Sequence, residues 1–360
     1  MKNVGVFAID WMLLFPVFVL VAISLATFFS INTSYFFSQA LYILLSLVIF
    51  FILSHSHYRS LEMFGPILYG AAIIAFAFVL FLGFESRGAV RWVDIFRFRI
   101  QFSEIFKPLL LVSLAAYLKD VKRTSFPSFL TGFGLLLPIA FLIFKQPDLG
   151  SALLYVGTFV ATIIVFGFPL RWFAAGALAT GIVLPFFIKF LHGYQKDRLT
   201  AFLRPENDPL GTSYNAMQAL IAVGSGAFFG KGLGQGTQSM LRFLPERHTD
   251  FMFATITESF GFFGGVIIIA CFAVILYRIY VLYGLVDDPF RKIFCIGAFF
   301  LLLLQFFVNV GMNIGLLPIV GVTLPFVSYG GSSVLSSFML LGLLSSFSFE
   351  LQDRSVLEIR

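Results

Sequence analysis

The sequence predicts an all-α polytopic membrane protein of about ten transmembrane helices, with a large extracytoplasmic loop between the seventh and the eighth. Three observations carry this reading. Of 360 residues, 59% are hydrophobic and 12% charged, against about 25% charged in soluble domains. The 24 Lys+Arg and 18 Asp+Glu are too few to cover a water-exposed surface. The apolar residues also fall in runs close to the roughly 20 needed to cross a bilayer, and inside lipid each backbone polar group needs an internal partner, so such runs read as helices.

The runs lie at 11–29, 35–53, 65–84, 101–118, 129–144, 151–168, 173–191, 251–283, 293–316 and 329–348. The first resembles a secretory signal, with Ser24-Leu25-Ala26 as a cleavage-like site. At 19 residues it exceeds a signal's apolar core, so it reads as a retained anchor. The fifth and sixth are short. Residues 192–250 form the large loop, no repeat or soluble appendage is visible, and residues 1–360 read as one membrane domain. Cys271 and Cys295 sit inside apolar runs, which excludes a disulfide framework or a Cys-rich zinc site.

Short connections with excess Lys and Arg face the cytoplasm. The connections after runs two, four, six and eight hold Arg59, then Lys119, Lys122 and Arg123, then Arg171, then Arg278, Arg291 and Lys292. The short ones after runs one, five and nine hold only Lys145. Both termini are therefore expected in the cytoplasm. Residues 85–107 and 192–250 bring further cations to the outer side, either because long loops cross regardless of charge or because the charge has a use. A net charge of +6 favours anionic partners such as lipid head groups or phosphates, and no nucleic-acid partner is expected.

Ionisable groups at span ends are the places to look for function. Segment 91–107 alternates basic and aromatic residues, among them Arg91, Trp92, Arg97 and Arg99, and fits an interfacial anchor. Glu104 and Lys107 are three apart on one helix face, either a structural ion pair or a pair that also shapes a substrate cavity. Asp148, ahead of a helix start, is either its N-cap or a carboxylate in the same outer cavity. In the large loop, the segment from Arg198 to Pro209 is polar with turn residues. Gly224-Ser225-Gly226-Ala227-Phe228-Phe229-Gly230-Lys231-Gly232 lacks the spacing of a Walker loop. In Arg247-His248-Thr249-Asp250, immediately before run eight, Asp250 is either an exposed cap or a partly desolvated general base near the head-group plane. His248 and Asp250 alone do not make a metal site.

Together these segments resemble the signature segments of the shape, elongation, division and sporulation (SEDS) family. The residues that carry the resemblance are Arg91-Trp92 through Glu104, Gln146-Pro147-Asp148-Leu149-Gly150, Phe243 through Phe251, and Gly321 through Ser333. Gly230-Lys231-Gly232 to Gln238 and Glu246-Arg247-His248 are closer to the rod-shape branch than to the division branch. The resemblance implies a peptidoglycan glycosyltransferase that polymerises lipid II at the outer face of the bacterial cytoplasmic membrane for elongation and rod shape. It implies pairing with a class B penicillin-binding transpeptidase among membrane lipids. It makes Asp250 the essential acid, with Glu104, Lys107 and Asp148 lining the cavity beneath. Where the family has a second acid after Glu258, this chain has Ser259, which puts a carboxylate pair there in doubt. No organic cofactor is implied. Outer-face cations (Arg91, Lys107, Arg198, Arg204 and Arg247) or a divalent Mg or Mn ion are alternative carriers of the leaving pyrophosphate's charge.

Two rival readings are a lipid II flippase and a non-catalytic scaffold for the transpeptidase. A flippase needs polar groups distributed to the midplane, whereas here they collect at the outer ends. A scaffold leaves the Asp250 cluster unexplained. The transpeptidase is expected to dock on small residues, either the Ser332, Ser333, Ser336, Ser337 face or the eighth and ninth spans.

Overall fold

The computed structural model describes residues 10–86, 89–95, 98–122, 124–190, 196, 202 and 212–358. The long helices run α1 (Trp11–Ile31), α2 (Thr33–Ser54), α3 (Tyr58–Leu82), α4 (Phe102–Leu118), α5 (Phe126–Lys145), α6 (Leu149–Phe166) and α7 (Leu170–Phe190). After the large loop, with its helices α8 (Thr212–Ser225) and α9 (Thr237–Met240), come α10 (Met252–Leu285), α11 (Pro289–Asn313) and α12 (Gly331–Glu358). Ten of these match the ten predicted runs. Eight are long and apolar enough to cross a membrane, while α4 has 17 residues with Glu104 in its first turn. Helix starts follow local chemistry: Asn32, Ser125, Asp148 and Asp288 each accept a backbone N–H of the helix they open, as small polar caps do. Gly167, at φ 112°, ends α6 in the left-handed conformation that favours glycine. The main core cluster runs through α1, α4, α6, α10, α11 and α12, with smaller ones among α3, α4, α5 and α6 and between α8 and the start of α10.

The all-helical expectation misses one element. Strands β1 (Phe84–Ser86), β2 (Ala89–Ile95) and β3 (Phe98–Ile100) form an antiparallel meander in the order β1-β2-β3, pairing Trp92 with Phe84 and Val93 with Ile100. The basic and aromatic alternation read as an interfacial anchor has period two, the period of a strand.

Helix α10 is interrupted at Gly261, where φ is 70° and ψ is −160°. The break strands backbone groups on both sides, and the glycine-rich loop supplies their partners. Lys231 N–H donates to Glu258 O at 2.9 Å and Gly232 N–H to Ser259 O at 3.0 Å, while Phe262 N–H donates to Ala227 O at 2.8 Å. Contact this close excludes side chains, and a Cβ on Gly226 would overlap the Thr257 carbonyl oxygen. The glycines therefore close a backbone clasp on α10. The Glu258 carboxylate completes it by accepting from Gln238 N–H at 2.8 Å and Ser239 N–H at 2.9 Å.

Ser332, Ser333, Ser336 and Ser337 are all buried inside the bundle, which corrects the expectation that they form a docking face. Small side chains admit close approach, and α12 uses them to pack along α2 and α4 of its own chain.

Substitution Gly226→Ala is expected to cost about 1–3 kcal/mol through overpacking, read as a lowered thermal unfolding midpoint in detergent. Gly224→Ala, where nothing lies within 4 Å, is the control and should be neutral or slightly stabilising. Equal midpoints for the two variants would contradict the clasp.

Candidate functional site

The segment just before α10 has almost no secondary structure of its own, yet its backbone is fixed. Three successive carbonyls are held by donors from elsewhere. Tyr329 N–H donates to His248 O at 2.8 Å, Ser328 Oγ to Thr249 O at 2.7 Å, and the amides of Asn309 and Asn313 to Asp250 O at 3.1 and 3.0 Å. Asn309 also donates to Val322 O at 2.7 Å, and Asn313 Oδ1 accepts from Ala254 N–H at 3.0 Å. Both asparagines are fully buried, where an unpaired amide is costly, so α11 locks the loop 314–330 and the start of α10 into one register. Glu246, at φ 50°, carries left-handed strain in the same segment, of a kind that clusters at functional sites.

On this support the half-buried Asp250 faces Gly321. A Cβ on Gly321 would lie 3.5 Å from Asp250 Oδ2 and 3.9 Å from Arg91 Nη1, so glycine, at φ 72°, keeps open the gap between carboxylate and guanidinium. Arg91, delivered by β2, reaches Asp148 Oδ1 at 3.7 Å, and its Nε is buried without a hydrogen-bond partner. Asp148 is both a cap and a site carboxylate. It accepts from Ser151 N–H at 3.1 Å as the N-cap of α6, from Ser151 Oγ at 2.8 Å and from Gln101 Nε2 at 3.0 Å.

One turn into α4, Lys107 Nζ donates to Glu104 Oε1 at 2.6 Å, with both side chains buried. Glu104 Oε2 has no partner. The pair adjoins the Asp148 network, since Ser103 Oγ donates to Asp148 at 3.2 Å and Tyr155 Oη to the Ser103 carbonyl at 2.8 Å.

The other residues singled out in the sequence divide. The His248 ring stacks on Tyr35, with centroids 4.6 Å apart and planes 10° apart. Burial lowers the pKa of Arg247 and the charge of Arg242 lowers it further, while its Nε has no partner. Arg198 and Arg204 lie outside the described residues. Among the described residues no three His, Cys, Asp or Glu side chains come together as metal ligands. Sequence reasoning missed Asn309 and Asn313. Their signal was available: two amides four residues apart in an apolar span share one helix face.

Ten long helices with a carboxylate and arginine cluster gathered at one end define a multi-pass membrane protein. The FtsW/RodA/SpoVE family, described as cell cycle protein, matches residues 4–353, and the chain belongs to that family. Peptidoglycan glycosyltransferase MrdB of Escherichia coli K12 is 37% identical over 282 residues, covering 77% of this chain and 75% of that protein. Stage V sporulation protein E of Bacillus subtilis is 34% identical over 336 residues, 89% of each. Among solved structures, the rod shape determining protein RodA of Thermus thermophilus superposes with a TM-score of 0.73 at 27% identity, covering 97% of this chain and 98% of that one. A chain from a peptidoglycan synthase complex that coordinates polymerization and crosslinking superposes with a TM-score of 0.83 at 29% identity, covering 96% and 99%.

Removing one member of a buried ion pair costs about 3–5 kcal/mol, because the other charge is left without water or partner. Glu104→Ala should lose stability on that scale. The double variant Glu104→Ala, Lys107→Ala should recover most of it in thermal melts. Strictly additive losses would show that the two residues do not act as a pair.

Proposed function

We propose that this chain is a peptidoglycan glycosyltransferase that polymerises lipid II at the outer face of the bacterial cytoplasmic membrane and serves cell elongation and rod shape. The observation that carries the reading is the gap at Gly321, where the Asp250 carboxylate and the Arg91 guanidinium flank one glycine. Membership in a family that includes named peptidoglycan glycosyltransferases supports it.

In the mechanism, Asp250 accepts the proton of the 4-hydroxyl of the acceptor GlcNAc as that oxygen attacks the anomeric carbon of the donor MurNAc. The bond to undecaprenyl pyrophosphate breaks with inversion, and the lipid leaves with the bonding electrons. A base must hold its position to be effective, and the four donors to the 248–250 carbonyls supply that rigidity. Arg91 and Arg247, each with a guanidinium Nε left unpartnered, are assigned to the developing pyrophosphate charge, and Asp148 orients Arg91. The described residues do not fit a divalent ion held by protein ligands alone, since their carboxylates do not cluster. In this reading Arg91 and Arg247 carry the charge, alone or together with a divalent Mg or Mn ion that the pyrophosphate itself would help to hold.

An even number of long helices puts both termini on one side, assigned to the cytoplasm. The partner is assigned as a class B penicillin-binding transpeptidase. With the α12 serines buried, the remaining expected surface is that of the eighth and ninth spans, α10 and α11, where Ile267, Ile269, Val274, Tyr277, Tyr280 and Phe307 are exposed.

Given lipid II in detergent, the purified protein is expected to form glycan chains, and Asp250→Asn to reduce their yield at least a hundredfold with lipid II binding retained. Substantial synthesis by that variant would remove Asp250 from the role of base. Topology is checked separately. In a background lacking Cys271 and Cys295, a cysteine at the exposed Gln235 should react with a membrane-impermeant maleimide on intact spheroplasts, and one at the exposed Lys122 should not. The reverse pattern would turn the site to the cytoplasm.

A further inference from the structure

A cavity of about 1220 Å³ lies among α3, α4, α5 and α6, and none of Arg91, Asp148 or Asp250 lines it. Lys107, Tyr155 and Thr158 form its roof, and Glu62, Lys119, Asp120 and Lys122 its far end, where α4 finishes on the side of the bundle opposite Asp250. The wall hydroxyls are engaged with backbone carbonyls. Tyr69 Oη donates to Leu135 O at 2.9 Å, Ser113 Oγ to Gly65 O at 2.8 Å, Tyr117 Oη to Ser128 O at 3.0 Å and Thr131 Oγ1 to Pro127 O at 2.9 Å. With those donors bonded to backbone, the surface presented is that of Leu110, Leu114, Leu136, Ile139 and Phe159. Such a wall takes hydrocarbon.

The opening faces sideways. Met63 and Pro66 on α3 and Pro127 and Thr131 on α5 line the cavity and are exposed, so the entrance lies between two membrane-spanning helices. Lys107 and Lys119 are twelve residues apart on and at the end of α4, about 18 Å at 1.5 Å per residue. One leaflet contributes about half of a roughly 30 Å hydrocarbon core, so the depth matches one acyl chain of one leaflet. Hydrocarbon stops at the roof, where Thr158 Oγ1 has no partner and Lys107 has the single acceptor Glu104, because it satisfies neither. At the mouth, Lys119 is paired with Glu62 and Asp120. Lys122 is exposed and makes no ion pair among the described residues, and Arg123 follows it in the sequence. An exposed cation at this depth matches an anionic phosphate.

We propose that this cavity is a binding site for an anionic phospholipid of the leaflet opposite Asp250, with one acyl chain between α3 and α5 and the headgroup phosphate at Lys122. Of the candidate-site residues only Lys107 borders this cavity, and lipid binding is read without catalysis. The full-length protein in nanodiscs would be irradiated with phosphatidylglycerol or phosphatidylcholine carrying a photoreactive group at the chain end, and adducts mapped by mass spectrometry. Adducts on Leu110, Leu114 or Leu136 are expected. Thr131→Trp, which blocks the entrance, should reduce them about tenfold while adducts on outward α10 residues persist, which also reports a folded variant. Lys122→Glu should lower labelling by phosphatidylglycerol severalfold more than by phosphatidylcholine. Adducts spread evenly over the exterior, or cavity adducts indifferent to Thr131→Trp, would overturn the site. Equal loss for both lipids on Lys122→Glu would overturn the headgroup assignment.

Discussion

The carbonyl of Asp250 accepts two hydrogen bonds from buried amides on a neighbouring helix, and the arrangement of the candidate site hangs on that shared acceptor. An aspartate at the end of an irregular segment would ordinarily sample many conformations, because fixing each residue's backbone costs about 1–2 kcal/mol. Here the cost is met by α11, whose asparagines bond the carboxylate's own residue, the first turn of α10 and the loop around Val322 at once. Ser328 extends the same logic by accepting from Leu324 N–H while donating to Thr249 O. The loop 314–330 is thus a strap whose glycine at 321 borders the reacting space and whose remaining residues hold it there.

The second constraint is electrostatic. Arg91 with Asp148 and Lys107 with Glu104 form two opposite-charge pairs in a poorly hydrated region. A pyrophosphate arriving at Arg91 would meet a guanidinium already oriented by Asp148, with a donor left to give.

Much of this was legible in the sequence because lipid makes polarity conspicuous. Asp250, Asp148, Glu104 and Lys107 stand at the ends of apolar runs, and the structure gathers them with Arg91 at one end of the bundle. What the sequence left open concerns direction. Ser332 to Ser337 promised close helix packing, and it occurs, but against α2 and α4 instead of an outside partner, since small residues specify proximity and not its recipient. The glycines at 226–232, recognised only as lacking the spacing of a Walker loop, serve the close backbone approach to α10, a partner that nothing in their sequence names. The period-two alternation of 89–95 was visible yet was overridden by the membrane reading of the whole chain. Asn309 and Asn313 were passed over because amides carry no formal charge to draw attention in a hydrophobic run.

The break at Gly261 divides α10 into unequal parts. The 24 residues from Phe262 to Leu285 extend about 36 Å, enough to cross a hydrocarbon core of about 30 Å unaided. The remaining residues, Met252 to Phe260, continue the helix beyond the kink in the grip of the glycine-rich loop, and Asp250 sits just ahead of them, held by the Asn309 and Asn313 amides at the end of α11. In the proposed reaction, the kink and the clasp around it would set where along the helix the carboxylate meets a lipid-linked substrate.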